Sequence, residues 1–251
     1  MIRFLLKLPF FKRLIPSLIV RFFKILKKNI NYFKVKNINF YLDILDPIDR
    51  QIILFQEYEN DRVKFLEDKM NENIFTYFLD IGSNCGYYSF YFANKFKNLK
   101  VKAFEPNSDP FHKFNKTLEK NSFQNIEVFN FGLSDTDQIT QIRSMKKNGY
   151  VHSNSSILYS SGNFDYKNFE IKDANFKIGD DILSFENEMI LIKIDVEGHE
   201  IYTLKGLENN LKTNKCLLCI ESSDNNYDKV NNFLTTIQYK KIFKSKYSSD
   251  Y

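Results

Sequence analysis

The stretch Tyr77–Ser89 limits what this chain can fold into more than any other. Tyr77, Phe78, Leu79 and Ile81 make a short apolar run, and the Gly82, Asn84 and Gly86 that follow cannot comfortably extend it, so a buried strand turns sharply there. Tyr87 to Phe96 then run without Pro or Gly and read as helix. Strand, glycine turn and helix together form a nucleotide-binding unit: Gly82 and Gly86 let the backbone approach a ligand, and the helix N-terminus offers free N–H groups. The spacing narrows the ligand. A dinucleotide fingerprint requires Gly-x-Gly-x-x-Gly, whereas this loop is Gly82-Ser83-Asn84-Cys85-Gly86 behind Asp80, with no third glycine.

An acid before such a looser turn suits a ligand with a cationic amine and no pyrophosphate, which describes S-adenosylmethionine. Downstream, Val101–Phe104 reads as a second strand ending at Glu105-Pro106-Asn107. A carboxylate at that tip can accept both ribose hydroxyls of an adenosine; otherwise it is an ordinary exposed strand end. Met189–Ile194 is apolar apart from Lys193 and reads as a central parallel strand. It ends at Asp195, and open α/β sheets bind ligands beyond the carboxyl ends of their strands. If the chain stays extended through Val196, Asp195 and Glu197 point the same way. Gly198 then allows a turn, and His199-Glu200 begin a helix whose core face is Ile201, Leu204, Leu207 and Leu211.

Three segments, Asp80-Ile-Gly-Ser-Asn-Cys-Gly-Tyr-Tyr-Ser89, Phe104-Glu-Pro106 and Leu191-Ile-Lys-Ile-Asp-Val-Glu-Gly-His-Glu200, closely resemble the FkbM family of S-adenosylmethionine-dependent methyltransferases. The resemblance runs from about Asp46 to about Ser223. It implies a Rossmann-like class I methyltransferase fold, α/β, with a mostly parallel sheet flanked by helices. It also implies a methyltransferase domain over residues 46–251 behind a basic, helical N-terminal extension over 1–45. Asp80, Gly82, Ser83, Asn84, Gly86 and Glu105 are then the residues expected to bind S-adenosylmethionine. His199, Asp195 and Glu197 are the expected catalytic group, and Tyr58-Glu59 resembles an element that could line the cofactor mouth.

Methyl transfer to an alcohol needs alignment and removal of the hydroxyl proton. A neutral imidazole takes that proton near neutral pH, and a helix N-terminus favours the neutral form, which makes His199 the candidate base. The alternative gives His199 a structural hydrogen bond and leaves Asp195 or Glu197 to orient the acceptor. A divalent metal on Asp195, Glu197 and His199 has suitable ligand types but lacks identifiable further partners, so none is assigned. The expected reaction is O-methylation of a hydroxyl, of a sugar in a polysaccharide or glycoconjugate. Small natural products, proteins and nucleic acids are the alternative acceptors, and the rival class is a non-catalytic, membrane-associated binding module of the same fold. A nucleotide-dependent oxidoreductase is disfavoured by the missing glycine. An amino-methylating nucleic-acid enzyme is disfavoured because Asp195-Val-Glu-Gly stands where an Asn/Asp-Pro-Pro-aromatic element is needed.

Charge is unevenly placed. The formal net charge is +5, and ten Lys or Arg residues precede Asp43, the first acid, so the rest of the chain is near neutral and the N-terminus suits an anionic surface. Residues 1–36 hold Phe, Leu and Ile among these cations with no apolar run long enough to span a bilayer. Interrupting lysines and the lack of a small-residue cleavage site argue against a secretory signal. Pro9 and Pro16 break the segment, leaving a basic amphipathic piece for a membrane interface or a helix pair packed on the domain. Three cysteines, Cys85, Cys216 and Cys219, do not make a disulfide framework and fit a reducing compartment. The expected location is cytoplasmic, peripheral at the inner membrane surface. Cys216-x-x-Cys219 lies in an apolar run and reads as core strand, not as a metal or redox pair.

Between these landmarks, Ile38–Ile44 reads as a strand and Asp46–Met70 as helices. Ser108-Asp109-Pro110 caps a helix buried on Phe111, Phe114 and Leu118. Ile126–Phe131 reads as a third strand closing at Gly132-Leu-Ser-Asp135. Thr136–Glu188 is the least regular region, with Gly149–Ser161 loop-like and a candidate acceptor lid carrying His152, Asn154 and Tyr159. Cys216–Ile220 is a fifth strand ended by Glu221, followed by a helix on Val230, Phe233, Leu234 and Ile237 and a final strand over Tyr239–Lys246.

Overall fold

The structure, a computed structural model, describes residues 9–147, 150–158 and 166–242. A helix α1 (Pro9–Leu26), the hairpin β1 (Ile30–Val35) and β2 (Ile38–Asp43), and helices α2 (Pro47–Phe55) and α3 (Asn60–Glu72) lead into β3 (Tyr77–Ile81). Then come α4 (Tyr87–Lys95), β4 (Lys100–Phe104), α5 (Ser108–Lys120) and β5 (Ile126–Phe129). After a second sheet, β10 (Met189–Ile194), α7 (Glu200–Gly206), α8 (Glu208–Thr213), β11 (Lys215–Ile220) and α9 (Asp224–Thr236) complete the described chain. The main sheet has the order β11-β10-β3-β4-β5 with every pairing parallel. Its order reverses between β3 and β10, which is where such sheets open a ligand crevice.

Helices cover both faces, so β3 and β10 are apolar on both sides. Phe78 faces a cluster with Phe90, Phe92, Val101 and Leu191, while its neighbour Leu79 joins Ile190, Ile192, Ile194 and Leu204 on the other face. The extension expected over residues 1–45 has two described parts. Its hairpin packs into the first cluster through Val35, Phe40 and Leu42 and is pinned to α5 by Tyr41 N donating to Thr117 Oγ1 at 2.9 Å. Its helix α1 lies against Phe33, Ile44 and Ile53. Among the described residues, no helix is long and apolar enough to cross a membrane.

Three expectations are corrected. The described residues between Thr136 and Glu188 are mostly strand: β6 (Gly132–Ser134), β7 (Gln138–Lys147), β8 (Tyr150–Ile157) and β9 (Phe169–Ile178) form a sheet of order β6-β9-β7-β8, followed by the short α6 (Gly179–Ile182). Its Ser- and Asn-rich strands hide their pattern because buried polar atoms find partners on other elements. Asn107 Nδ2 donates to Ser144 Oγ at 3.2 Å, and Ser153 N donates to Asp46 Oδ2 at 2.8 Å. The third strand stops at Phe129, and Gly132–Ser134 crosses to the second sheet to pair with Phe176–Ile178. No strand forms over Tyr239–Ile242; the remainder of that expected strand, like Tyr159, lies outside the described residues. Cys216 and Cys219 sit on β11, and all three cysteines are free.

Candidate active site

The turn after β3 is built for close packing. Gly82 has φ +78°, and a Cβ there would stand 1.9 Å from the carbonyl oxygen of Asp195, so only glycine lets the ends of β3 and β10 meet. The N–H groups of the turn itself are engaged. Gly82 N and Ser83 N donate to Phe104 O at 2.9 and 3.1 Å, Gly86 N to Ser83 O at 2.9 Å, and Cys85 N to Asn84 Oδ1 at 2.8 Å. Asn84 N donates to Glu105 Oε2 at 2.8 Å. The turn is therefore no anion cradle, which agrees with a ligand that lacks phosphate. Ser83 Oγ is the exception, buried without a hydrogen-bond partner in the wall of the cavity.

That cavity, about 70 Å³, lies beyond the carboxyl ends of β3, β4 and β10 and is lined by Gly82, Ser83, Asn84, Glu105, Asp195, Glu197 and His199 among others. Asp80 is not part of its lining. It is buried beneath the turn, where Oδ2 accepts from Ser89 Oγ at 2.6 Å and Ser89 N at 3.2 Å and so anchors the first turn of α4, while Oδ1 is buried without a hydrogen-bond partner. Gly86 supplies the φ of +81° that starts this helix.

Glu105 is buried at the tip of β4 with its oxygens accepting from Asn84 N and Asn107 N. Burial pushes its carboxyl up to about 7, against the pull of those two N–H groups, with Asp80 and Asp195 adding to the rise. Its remaining lone pairs face the cavity, and hydroxyl donors from a ligand would favour the ionised form.

Lys193, a lone cation in an apolar strand, explains how several acids coexist. It is buried, its Nζ lies 2.9 Å from Asp195 Oδ2 and 5.0 Å from the Tyr88 ring centre, and it is the register partner of Asp80 on β3. Despite desolvation, Asp195 and Asp80 hold its pKa above the usual lysine range. Asp195 and Glu197 share the cavity for a different reason than an extended chain. Glu197 has φ +49° and Gly198 φ +104°, so the backbone turns and swings Glu197 back to the rim. There Glu197 Oε1 accepts from Asn154 Nδ2 at 2.8 Å, and its carboxyl, still reaching solvent, is pushed up to about 7 by lost hydration and by Asp195, Glu221 and Glu200.

His199 is held firmly. Nε2 lies 3.0 Å from Ser134 Oγ, the ring stacks on Tyr202 at 4.9 Å and meets Phe176 edge-on at 5.2 Å, and burial pulls its pKa down to about 4. It is neutral at physiological pH, as expected, but is a weak base whose Nε2 is engaged by a hydroxyl.

Sequence reasoning passed over Tyr88 and Arg62, whereas Asn154, expected on an acceptor lid, and Tyr58-Glu59, expected at the cofactor mouth, stand at this cavity and its rim. Asn154 on β8 spans the cavity, bonding Glu197 on one side and accepting from Asn84 Nδ2 at 3.1 Å on the other. Tyr88 Oη donates to Glu59 Oε2 at 2.6 Å, and Arg62 joins Glu59 to Glu221 at 2.6 and 2.8 Å. This makes a charged rim from α3 to β11, with Tyr58 in the cavity wall beside it. Lys193 was signalled locally, by being charged inside an apolar strand. Among the described residues, no group of three His, Cys, Asp or Glu is placed to hold a metal ion.

Residues 80–244 match the family described as "Methyltransferase FkbM domain", more than half of the chain. The chain belongs to the FkbM methyltransferase family. It is accordingly an S-adenosylmethionine-dependent methyltransferase. Comparison with curated proteins gives no significant match. Solved structures with similar folds include a human methyltransferase 10 domain containing protein (12% identity, 94% of this chain and 93% of that one, TM-score 0.47). Others are a precorrin-6y C5,15-methyltransferase from Geobacter metallireducens GS-15 (13%, 76% and 81%, TM-score 0.45) and an rRNA methylase from Streptococcus thermophilus (12%, 74% and 90%, TM-score 0.42). The residues of this FkbM-family site suit the family's methyl donor. Glu105 has the chemistry to accept a ribose diol, the unpartnered Ser83 Oγ offers a further polar contact, and Asp195 and Glu197 are carboxylates of the sign that a sulfonium or ammonium group calls for.

Proposed function

We propose that this enzyme methylates a hydroxyl group, that of a sugar in a polysaccharide or glycoconjugate, with Glu197 as the proton acceptor. The observation that carries this reading is Glu197 itself: a rim carboxylate with a pKa near 7, beside Asp195, which is paired with the buried Lys193, and held by Asn154. A base is most effective when its pKa lies near the working pH, which favours Glu197 over His199.

When bound, the cofactor supplies an electrophilic methyl group. Lys193 fixes one oxygen of Asp195, which leaves the other to orient the acceptor hydroxyl. Glu197 would take the proton of the acceptor hydroxyl, whose oxygen would gain the methyl group as the donor's carbon–sulfur bond breaks and the neutral thioether leaves. His199, locked on Ser134, shapes the wall through packing. Asn84, Ser153 and Asn154 line the cavity with small neutral donors and acceptors, a chemistry suited to a polyol. Methyl-labelled cofactor incubated with glycan acceptors tests the reading. Label recovered as a base-stable methyl ether of a sugar supports it; label in a base-labile ester or on nitrogen contradicts it.

A further inference from the structure

Helix α1 is apolar on two adjoining faces, and among the described residues one of them is turned to the body. Toward the body, Ile19 and Phe23, with Leu18 and Phe22 at the edge, line a groove with Phe33, Ile44 and Ile53, the Phe23 and Phe33 rings being 6.2 Å apart. Outward, Leu14, Leu18, Phe22 and Ile25 recur at intervals of four, four and three and are 41%, 52%, 58% and 80% exposed. That spacing places them in one stripe. Arg21 and Lys28 are exposed beside it, and no acid occurs before Asp43.

We infer that this outer face docks on the surface of an anionic phospholipid bilayer, the helix lying in the interface with its apolar stripe among the acyl chains and its cations at the headgroups. Charge decides the occupant. A second copy would set ten cations against ten in the absence of any acid in the first 42 residues. A nucleic acid would satisfy the cations but leave four large apolar side chains against phosphate. An anionic bilayer satisfies both features. The helix also borders the catalytic rim, because Pro16 shares a groove with Arg50 and Glu59, and Glu59 bonds Tyr88 in the cavity wall. Docking would therefore hold the cavity mouth close to the membrane surface. The inference is independent of which acceptor is methylated.

Co-sedimentation of the full chain with phosphatidylcholine vesicles, with and without phosphatidylglycerol, tests it. Binding is expected to the anionic vesicles and to fall by about tenfold or more in R21Q/K28Q and by about 100-fold in F22E/I25E, both variants melting like the parent. Vesicle binding unchanged in both variants overturns the inference. So does failure of the folded parent to bind anionic vesicles, whether it instead self-associates through Phe22 and Ile25 or binds nucleic acid through Arg21 and Lys28.

Discussion

Glu197→Gln is expected to lower kcat by about 10²- to 10⁴-fold, the range for removal of a general base, while the affinity for S-adenosylhomocysteine changes by less than about threefold. The amide keeps the shape of the side chain and its contact with Asn154 but cannot accept a proton. The carboxyl sits near 7, so turnover by the parent enzyme should rise as pH increases through about 7 and then level off, and the variant should lose that limb. His199→Gln should cost much less, because the imidazole is a weak base engaged with Ser134. Single-turnover rates across pH check both statements. A Glu197→Gln enzyme with parental turnover, or a His199→Gln enzyme that is the more impaired of the two, would return the base role to His199.

Lys193→Met is expected to destabilise the fold by about 3–5 kcal/mol at neutral pH, the usual result of removing a buried cation from beside a buried carboxylate, here Asp80. The ammonium is flanked by Asp195 at 2.9 Å and by Asp80 across the β3–β10 pairing. Titratable groups face it from every neighbouring element: Glu59 ahead of α3, Tyr88 on α4 and Cys219 on β11. Without it, Asp80 is left buried and charged beneath the turn, where burial already raises its pKa. The variant's native state then binds protons that its unfolded state releases, so its stability falls as pH rises. The deficit relative to the parent should grow from pH 5 to pH 8. Urea denaturation at several pH values measures this, and a small deficit independent of pH would contradict the role assigned to Lys193.

Much of this architecture was legible because it is local. The apolar runs at Tyr77–Ile81 and Met189–Ile194 announce strands buried on both faces, and Gly82 and Gly198 mark turns whose positive φ other residues resist. Asp195, Glu197, His199, Glu105 and the Gly82–Gly86 turn all reach one cavity because each follows the carboxyl end of a parallel strand. What escaped depends on partners distant in sequence. Asp80 turned beneath the loop because Ser89, in the first turn of α4, offers it two donors. Residues 150–157 looked like loop because Ser153 and Asn154 are polar, yet Asp46, Asn84 and Glu197 supply the hydrogen bonds that make a strand there tolerable. The N–H groups of Gly82 and Ser83 are engaged by Phe104, a contact made only when β3 and β4 pair.

The most direct test of the account is calorimetric titration of the folded chain with S-adenosylhomocysteine, repeated with Glu105→Ala. Micromolar, one-to-one binding is expected, weakening as pH falls below about 7 because Glu105 must be ionised to accept the ribose hydroxyls. Loss of those charge-assisted hydrogen bonds should weaken Glu105→Ala by about 10- to 100-fold, with the variant's folded state verified by its melting curve. Absence of binding by the well-folded parent, or equal binding by Glu105→Ala, would contradict the placement of the cofactor in this cavity.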